Sequence, residues 1–357
     1  MRLVWGIVER IVEENEAAQW LTVCPDTGEP APAVCYPSLV GRCRQGDRVL
    51  LNTTAVDLGL GTGGHHLILA RAGEGTSLDD PSLGHVMKLR YTPLQRDVLA
   101  VEEPASDAHR VMAEARSLRG MPVVCCGLHS QVPLVAAAAK ERIPGLKVAY
   151  VMSDGASLPL AVSRLVPRLL DAGLLDTTVT CGQAFGGELE AVTVHSGLLA
   201  ARHVAGAQLA IVGIGPGIPG TATPYGHGGV AQGEAINAVV ALEGVPIAAL
   251  RVSFADARPR HVPVSHQTLT ALTGVALGRA LVALPTLEPG YAGALESALE
   301  QAGVWRIHER RCVDAALPDL RGVEVRTMGR TFDDDPAFFL SAAAAGIVAA
   351  EEISGLR

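Results

Sequence analysis

Asp256, Arg258, Arg260, His261 and His266 fall within eleven positions, and Pro259 and Pro263 stiffen the backbone between them. Arginine forks match the oxygens of phosphates and carboxylates. A histidine with an ordinary pKa can give or take a proton near neutrality. These residue types point to recognition of a small anion, with His261 or His266 moving a proton and Asp256 orienting it. A solvated Asp–Arg turn, followed by Ser265 as a helix cap, would use the same residues without chemistry.

A second polar loop lies upstream, in the glycine-rich stretch from Ile211 to Glu234. Glycine allows positive φ and lets main-chain N–H groups approach an anion, so Gly215 and Gly217 are candidate contacts. The turn after them displays Thr221, Thr223, Tyr225 and His227. Gly215, Gly217 and Gly220 have the formal dinucleotide spacing, yet Pro216 and Pro219 remove amide donors and the acidic residue expected about twenty positions on, at the end of the next strand, is absent. The spacing therefore argues against a nicotinamide cofactor.

Three further loops add candidates. Asp154 sits between a strand and a helical run, where it can cap the helix or present a carboxylate. Gly186-Gly187-Glu188 precedes a helical pattern over 188–203 and reads as an anion-approach turn or as ordinary turn chemistry. His129, His227, His261, His266, Asp154, Asp256 and Glu234 match no recognised metal-ligand spacing. Convergence of loops could still assemble a divalent metal site, so the cofactor stays open. Cys181 reads as core at a strand end.

These loops need a frame to position them. Over the first hundred residues, Leu3 to Val12, Gln19 to Val23, Ala31 to Tyr36, Arg48 to Asn52 and His66 to Arg71 are short strand-like runs separated by turn signals, the rhythm of a small barrel. Residues 72–85 read as a linker or exposed loop. From Pro122 the pattern changes. Val123 to Cys126, Lys147 to Met152, Thr177 to Thr180, Leu209 to Val212, Ile247 to Val252 and Ala280 to Leu284 are near-continuously apolar, as strands buried on both faces are. Helical stretches over 132–142, 158–172, 188–203, 231–242 and 265–276 lie between them, and 336–353 forms a last helix. The expectation is a β-rich barrel over 1–100 and an α/β domain over 101–357, with a doubly wound, mostly parallel sheet whose site lies outside the carboxyl ends of the strands.

Composition excludes several classes. A net charge of −8 and only 4% aromatic residues give neither a basic stripe nor a stacking surface, which argues against nucleic acid as partner. The charged, alternating N-terminus does not read as a signal peptide. No apolar window of about 20 residues free of charge or glycine is evident, so no membrane span is expected. Seven cysteines without a Cys-x-x-Cys pair suggest neither a zinc ribbon nor a disulfide framework, and a cytoplasmic location follows.

Several long phrases occur together: 52–64 (NTTAVDLGLGTGG), 153–159 (SDGASLP), 182–190 (GQAFGGELE), 215–221 (GPGIPGT) and 260–272 (RHVPVSHQTLTAL). In these phrases and their order the chain resembles a bacterial family known as domain of unknown function 3866. The resemblance implies that the loops belong together and carries no activity. One departure is visible, since the family's last motif pairs two histidines where this chain has His266 followed by Gln267.

The expectation is an α/β protein that binds a small anionic metabolite, such as a phosphorylated one, and performs hydrolysis or group transfer. Gly215, Gly217 and Thr221 would contact the anion, Arg258 and Arg260 would neutralise it, His227 and Glu188 would help to bind it, and Asp154 or Asp256 would orient the proton-moving histidine or hold a metal. The alternatives are a nucleotide- or anion-sensing regulatory module without catalysis, and a homo-oligomeric scaffold using its alanine-rich helices.

Overall fold

The computed structural model of the protein describes residues 1–60, 64–73 and 84–355. Gly61, Thr62 and Gly63 and most of the expected linker, 74–83, lie outside the described residues. The chain divides into two compact units: Met1–Leu83 with Leu89–Asp97, and Gly84–Lys88 with Val98–Arg357.

The first unit is a closed barrel of β1 (Leu3–Glu14), β2 (Gln19–Pro25), β3 (Ala31–Cys35), β4 (Arg48–Asn52) and β5 (His66–Arg71), in the order β1-β2-β3-β5-β4. All neighbours are antiparallel except β3 and β5, which run parallel. Alternation directs Val8, Leu21, Val23, Val49, Leu51 and Ile68 inward. At Gly6 a Cβ would lie 2.7 Å from the Cys24 carbonyl oxygen, so only glycine allows this approach of β1 to β2. Two short helices, α1 (Pro37–Val40) and α2 (Thr54–Asp57), belong to this unit. Two three-residue strands follow along the chain, β6 (Val86–Lys88) and β7 (Arg96–Val98).

The second unit is an α/β domain. Its eight strands are β8 (Pro122–Cys126), β9 (Val148–Ser153), β10 (Thr177–Cys181), β11 (Leu189–Ala191), β12 (Leu209–Ile214), β13 (Val245–Ala249), β14 (Leu281–Pro285) and β15 (Glu309–Val313). They form one sheet in the order β11-β10-β9-β12-β8-β13-β14-β15, with every pairing parallel. Six of the eight were expected from their apolar runs. β11 and β15 were not.

Both faces are covered. One carries α4 (Val132–Arg142), α5 (Leu165–Asp171) and α10 (Pro336–Ser354), packed with Val124, Cys126 and Tyr150. The other carries α3 (His109–Glu114), α6 (Val194–His203), α7 (Ala231–Ala241) and α9 (Pro289–Gln301), packed with Val123, Cys125 and Val151. Residues 123–126 thus alternate between the two cores. α10 is long and apolar enough by composition to cross a membrane, a property the sequence reading assigned to no segment, and 72% of its apolar window is buried inside this unit.

Three helical expectations need correction. Glu188 opens no helix. Residues Leu189–Ala191 form β11, and α6 begins at Val194, capped by Thr193 in a reciprocal box with Ser196. The stretch 158–172 is a 3₁₀ turn at Leu160–Val162 followed by α5. The stretch 265–276 is a short helix, α8 (His266–Thr270), continued by a π-turn over Ala271–Val275.

Candidate functional site

The strand order decides which loops meet. β12 lies between β9 and β8, and the chain leaves β8 and β12 over opposite faces, through α4 to β9 and through α7 to β13. A ligand crevice is expected outside the carboxyl ends of such a pair. A narrow cleft does lie there, lined by Gly127, Gly213, Ile214, Gly228, Gly229 and Gln232. Its volume of about 10 Å³ is on the scale of one water.

Gln232, almost fully buried on α7, closes this cleft. Its Nε2 donates to the carbonyl oxygens of Cys125 and Ala249, each at 2.8 Å, which fixes the amide orientation. Oε1 is left without a hydrogen-bond partner. A Cβ at Gly127 would lie 3.2 Å from that oxygen, so the bare backbone makes room for it.

Beside the cleft, His227, His261 and His266 come together. The His227 and His266 rings stand edge-on with centroids 5.3 Å apart, and those of His261 and His266 are 5.2 Å apart. A carbonyl only accepts, so His227 donates through Nε2–H to Pro224 at 2.8 Å and His266 through Nδ1–H to Arg260 at 3.3 Å. The opposite nitrogens, His227 Nδ1 and His266 Nε2, are buried without a partner. A Cβ at Gly229 would lie 3.1 Å from His227 Nδ1. His261 is fully buried, with Nδ1 2.7 Å from the Ser265 hydroxyl that caps α8. Burial, then Arg251 and Arg258, push its pKa down to about 3, so it is neutral near pH 7. Burial also lowers the pKa of His266.

The arginines converge on Asp256, almost fully buried in the loop after β13. Arg258 grips it in a fork, Nε to Oδ1 at 2.9 Å and Nη2 to Oδ2 at 2.8 Å. Arg251 and Arg330 reach the same carboxylate at 3.5 and 3.4 Å. The Arg258 hydrogen bonds hold its pKa well below the usual carboxylate range. Arg330 also donates to Asp335, which accepts from the Ser253 hydroxyl at 2.6 Å. Arg251, pushed down to about 10 by burial, donates to Gln267 Oε1 at 3.1 Å. Gln267 thus accepts a hydrogen bond from a buried cation.

The other candidates lie elsewhere or are turned inward. Residues 220–227 form a small hairpin, in which the Thr221 amide and hydroxyl both donate to Gly226 O at 2.9 Å. Gly215 is buried and packs against Ser157, while Gly217 is exposed with φ 85°. Arg260 is exposed. Asp154 and Glu188 belong to the β9–β11 half of the sheet. Asp154 caps no helix and accepts from the Gln183 amide at 3.0 Å, while Glu188 accepts from the Thr177 hydroxyl at 2.6 Å. Among the described residues no group of three or more His, Cys, Asp or Glu is placed to share a metal ion.

A fourth cluster has no sequence signature. His129 lies between Tyr150 Oη, at 3.0 Å, and Ser163 Oγ, at 2.7 Å, and Tyr150 donates to the Ile214 carbonyl at 3.3 Å. With the tyrosine proton so committed, His129 donates through Nδ1–H and accepts the Ser163 proton at Nε2. Burial pushes the His129 pKa down to about 4. The spacing 129, 150, 163 matches no motif, so only the fold reveals this chain.

No curated protein and no solved structure matches the chain. Residues 32–346 match the family described as protein of unknown function (DUF3866), and the chain belongs to that family.

Proposed function

We propose that this protein binds a small anionic metabolite, phosphorylated or carboxylated, at the carboxyl edge of its parallel sheet beside the β12–β8 crevice. The observation that carries the reading is the pair of buried, unpartnered imidazole nitrogens on His227 and His266, set among Arg251, Arg258, Arg260 and Arg330. Buried polar atoms are nearly always hydrogen-bonded, and those left over mark places where a partner is supplied from outside.

Two uses of such a site are open: turnover by hydrolysis or group transfer, and sensing without turnover. Sensing is favoured by one observation. His261, held neutral against a helix cap, and Asp256, engaged by three arginines, are both committed to structure rather than poised as a general base. We read the protein as cytoplasmic, with its cysteines reduced.

Titration calorimetry with phosphate, pyrophosphate and succinate tests the binding. Millimolar or tighter affinity that weakens at least tenfold in Arg258→Ala or Arg260→Ala supports the reading. No heat with any of the three sinks it. If His266→Ala abolishes turnover of a phosphate or carboxylate ester while retaining affinity, the enzymatic use gains over sensing.

A further inference from the structure

Resting on that reading, we infer that the His227–His266 pair takes up a proton when an anion binds, so that the ligand is a dianion of the phosphate or sulfate type held more tightly as pH falls. The argument begins from donors. Neutral His227 and His266 have each spent their single N–H on a backbone carbonyl, and present only lone pairs, at Nδ1 and Nε2. Gln232 Oε1, the remaining unpartnered atom at the crevice, is also an acceptor. An anion brings nothing but lone pairs, so it cannot bond to this set as it stands.

Arg260 is exposed and can meet an anion from the solvent side, while the other three arginines do not fill the gap. Arg258 directs Nε and Nη2 at Asp256, Arg330 divides its fork between Asp335 and Asp256, and Arg251 gives Nη1 to Gln267 and Nη2 to Asp256. Their hydrogens are largely committed, and what they supply is field. The charged groups around the pair are Arg251, Arg258, Asp256 and Arg260 from the loop after β13, with Arg330 and Asp335 behind them. Four arginines against two aspartates leave an excess of two positive charges. Burial first, and that excess after it, disfavour protonation of His266 in the free protein. A dianion cancels the excess, and protonation then turns a lone pair into the missing N–H donor. The same excess disfavours a divalent cation at these two nitrogens.

Sulfate is the probe, because it stays dianionic across the useful pH range and adds no titration of its own. Its affinity is measured at pH 6, 7 and 8, with proton uptake read from binding heats in buffers of different ionisation enthalpy. The expected result is a Kd at least tenfold weaker at pH 8 than at pH 6, with close to one proton entering per sulfate at pH 7. His266→Gln or His227→Gln flattens this dependence, and His203→Gln, a histidine bonded to the Ser117 carbonyl, leaves it intact. Proton uptake is measured on the unaltered protein, so it stands even if a variant fails to fold. Sulfate binding with constant affinity and no proton exchange overturns the inference alone. Failure of sulfate and phosphate to bind at pH 6 overturns the inference, and if pyrophosphate and succinate fail as well it overturns the proposed function with it.

Discussion

The ammonium of Lys88, fully buried, lies 3.3 Å from the carboxylate of Glu190 and donates to the carbonyl oxygens of Gly182 and Ala191. Glu190 also accepts from the Gly186 amide and the Thr180 hydroxyl, so the pair ties β6 to the edge of the parallel sheet. Removing one partner leaves a buried charge uncompensated. Lys88→Met should lower stability by about 3–5 kcal/mol. Adding Glu190→Gln should recover much of that loss in urea denaturation, and a double variant no more stable than the single would refute the pairing.

Asp256 is the hub of the arginine network. Asp256→Ala leaves Arg251 and Arg330 largely buried without their shared anion, and should cost about 3 kcal/mol or more. Arg258 is 37% exposed at its side chain, so Arg258→Ala should cost far less. Equal midpoints for the two variants would contradict this ranking.

The His129 chain predicts an acid-sensitive fold. Its pKa is about 4 in the folded state and about 6.5 when unfolded, so between these values the unfolded chain binds more protons. Stability is fully present above pH 6.5 and falls as pH drops towards 4, by an amount on the order of 3 kcal/mol from this residue. Melting curves of His129→Gln should show a shallower loss over that window. A slope identical to that of the unaltered protein would assign the sensitivity to His261, His266 or His308, whose pKa values are lowered in the same direction.

Gly346 of α10 packs directly on the Val135 carbonyl oxygen of α4, a backbone atom that cannot rotate away from a new Cβ. Gly346→Ala should destabilise by about 2–3 kcal/mol. Gly293, on α9, has open space around its Cβ position, and Gly293→Ala should stabilise by about 0.5–1 kcal/mol through helix propensity. Thermal shifts of opposite sign test both.

Much of this frame could be read from residue patterns. Strands such as 209–214 (LAIVGI), buried on both faces, are continuous apolar runs, and the barrel strands alternate between turn signals. β11 was hidden because it is three residues long, and β15 because an edge strand with charged positions, 309–313 (ERRCV), lacks the apolar signature. The proximity of His261 and His266 followed from spacing, and that of His227 from its place in the loop after the buried strand that precedes theirs along the chain. Arg330 and Asp335 carry no local signal, since the C-terminal segment returns to the edge only in three dimensions. Arg251 was read as part of a strand. Asp154 and Glu188 were grouped with the histidines because sequence fixes the succession of strands and leaves their lateral order open.

That lateral order has a consequence for the nascent chain. β8 has only β12 and β13 as neighbours, and β12 is also what joins β8 to β9. A ribosome that has delivered residues 1–208 has made both β8 and β9, yet neither can pair with the other, because the strand that belongs between them has not been synthesised. The central strand of the sheet therefore waits for more than eighty residues of later sequence, with both its hydrogen-bonding edges open. β9, β10 and β11 can pair as they emerge, but β8 joins them only when 209–214 is made, and a chain cut short before that point is a natural substrate for chaperones or proteases rather than a stable half-domain.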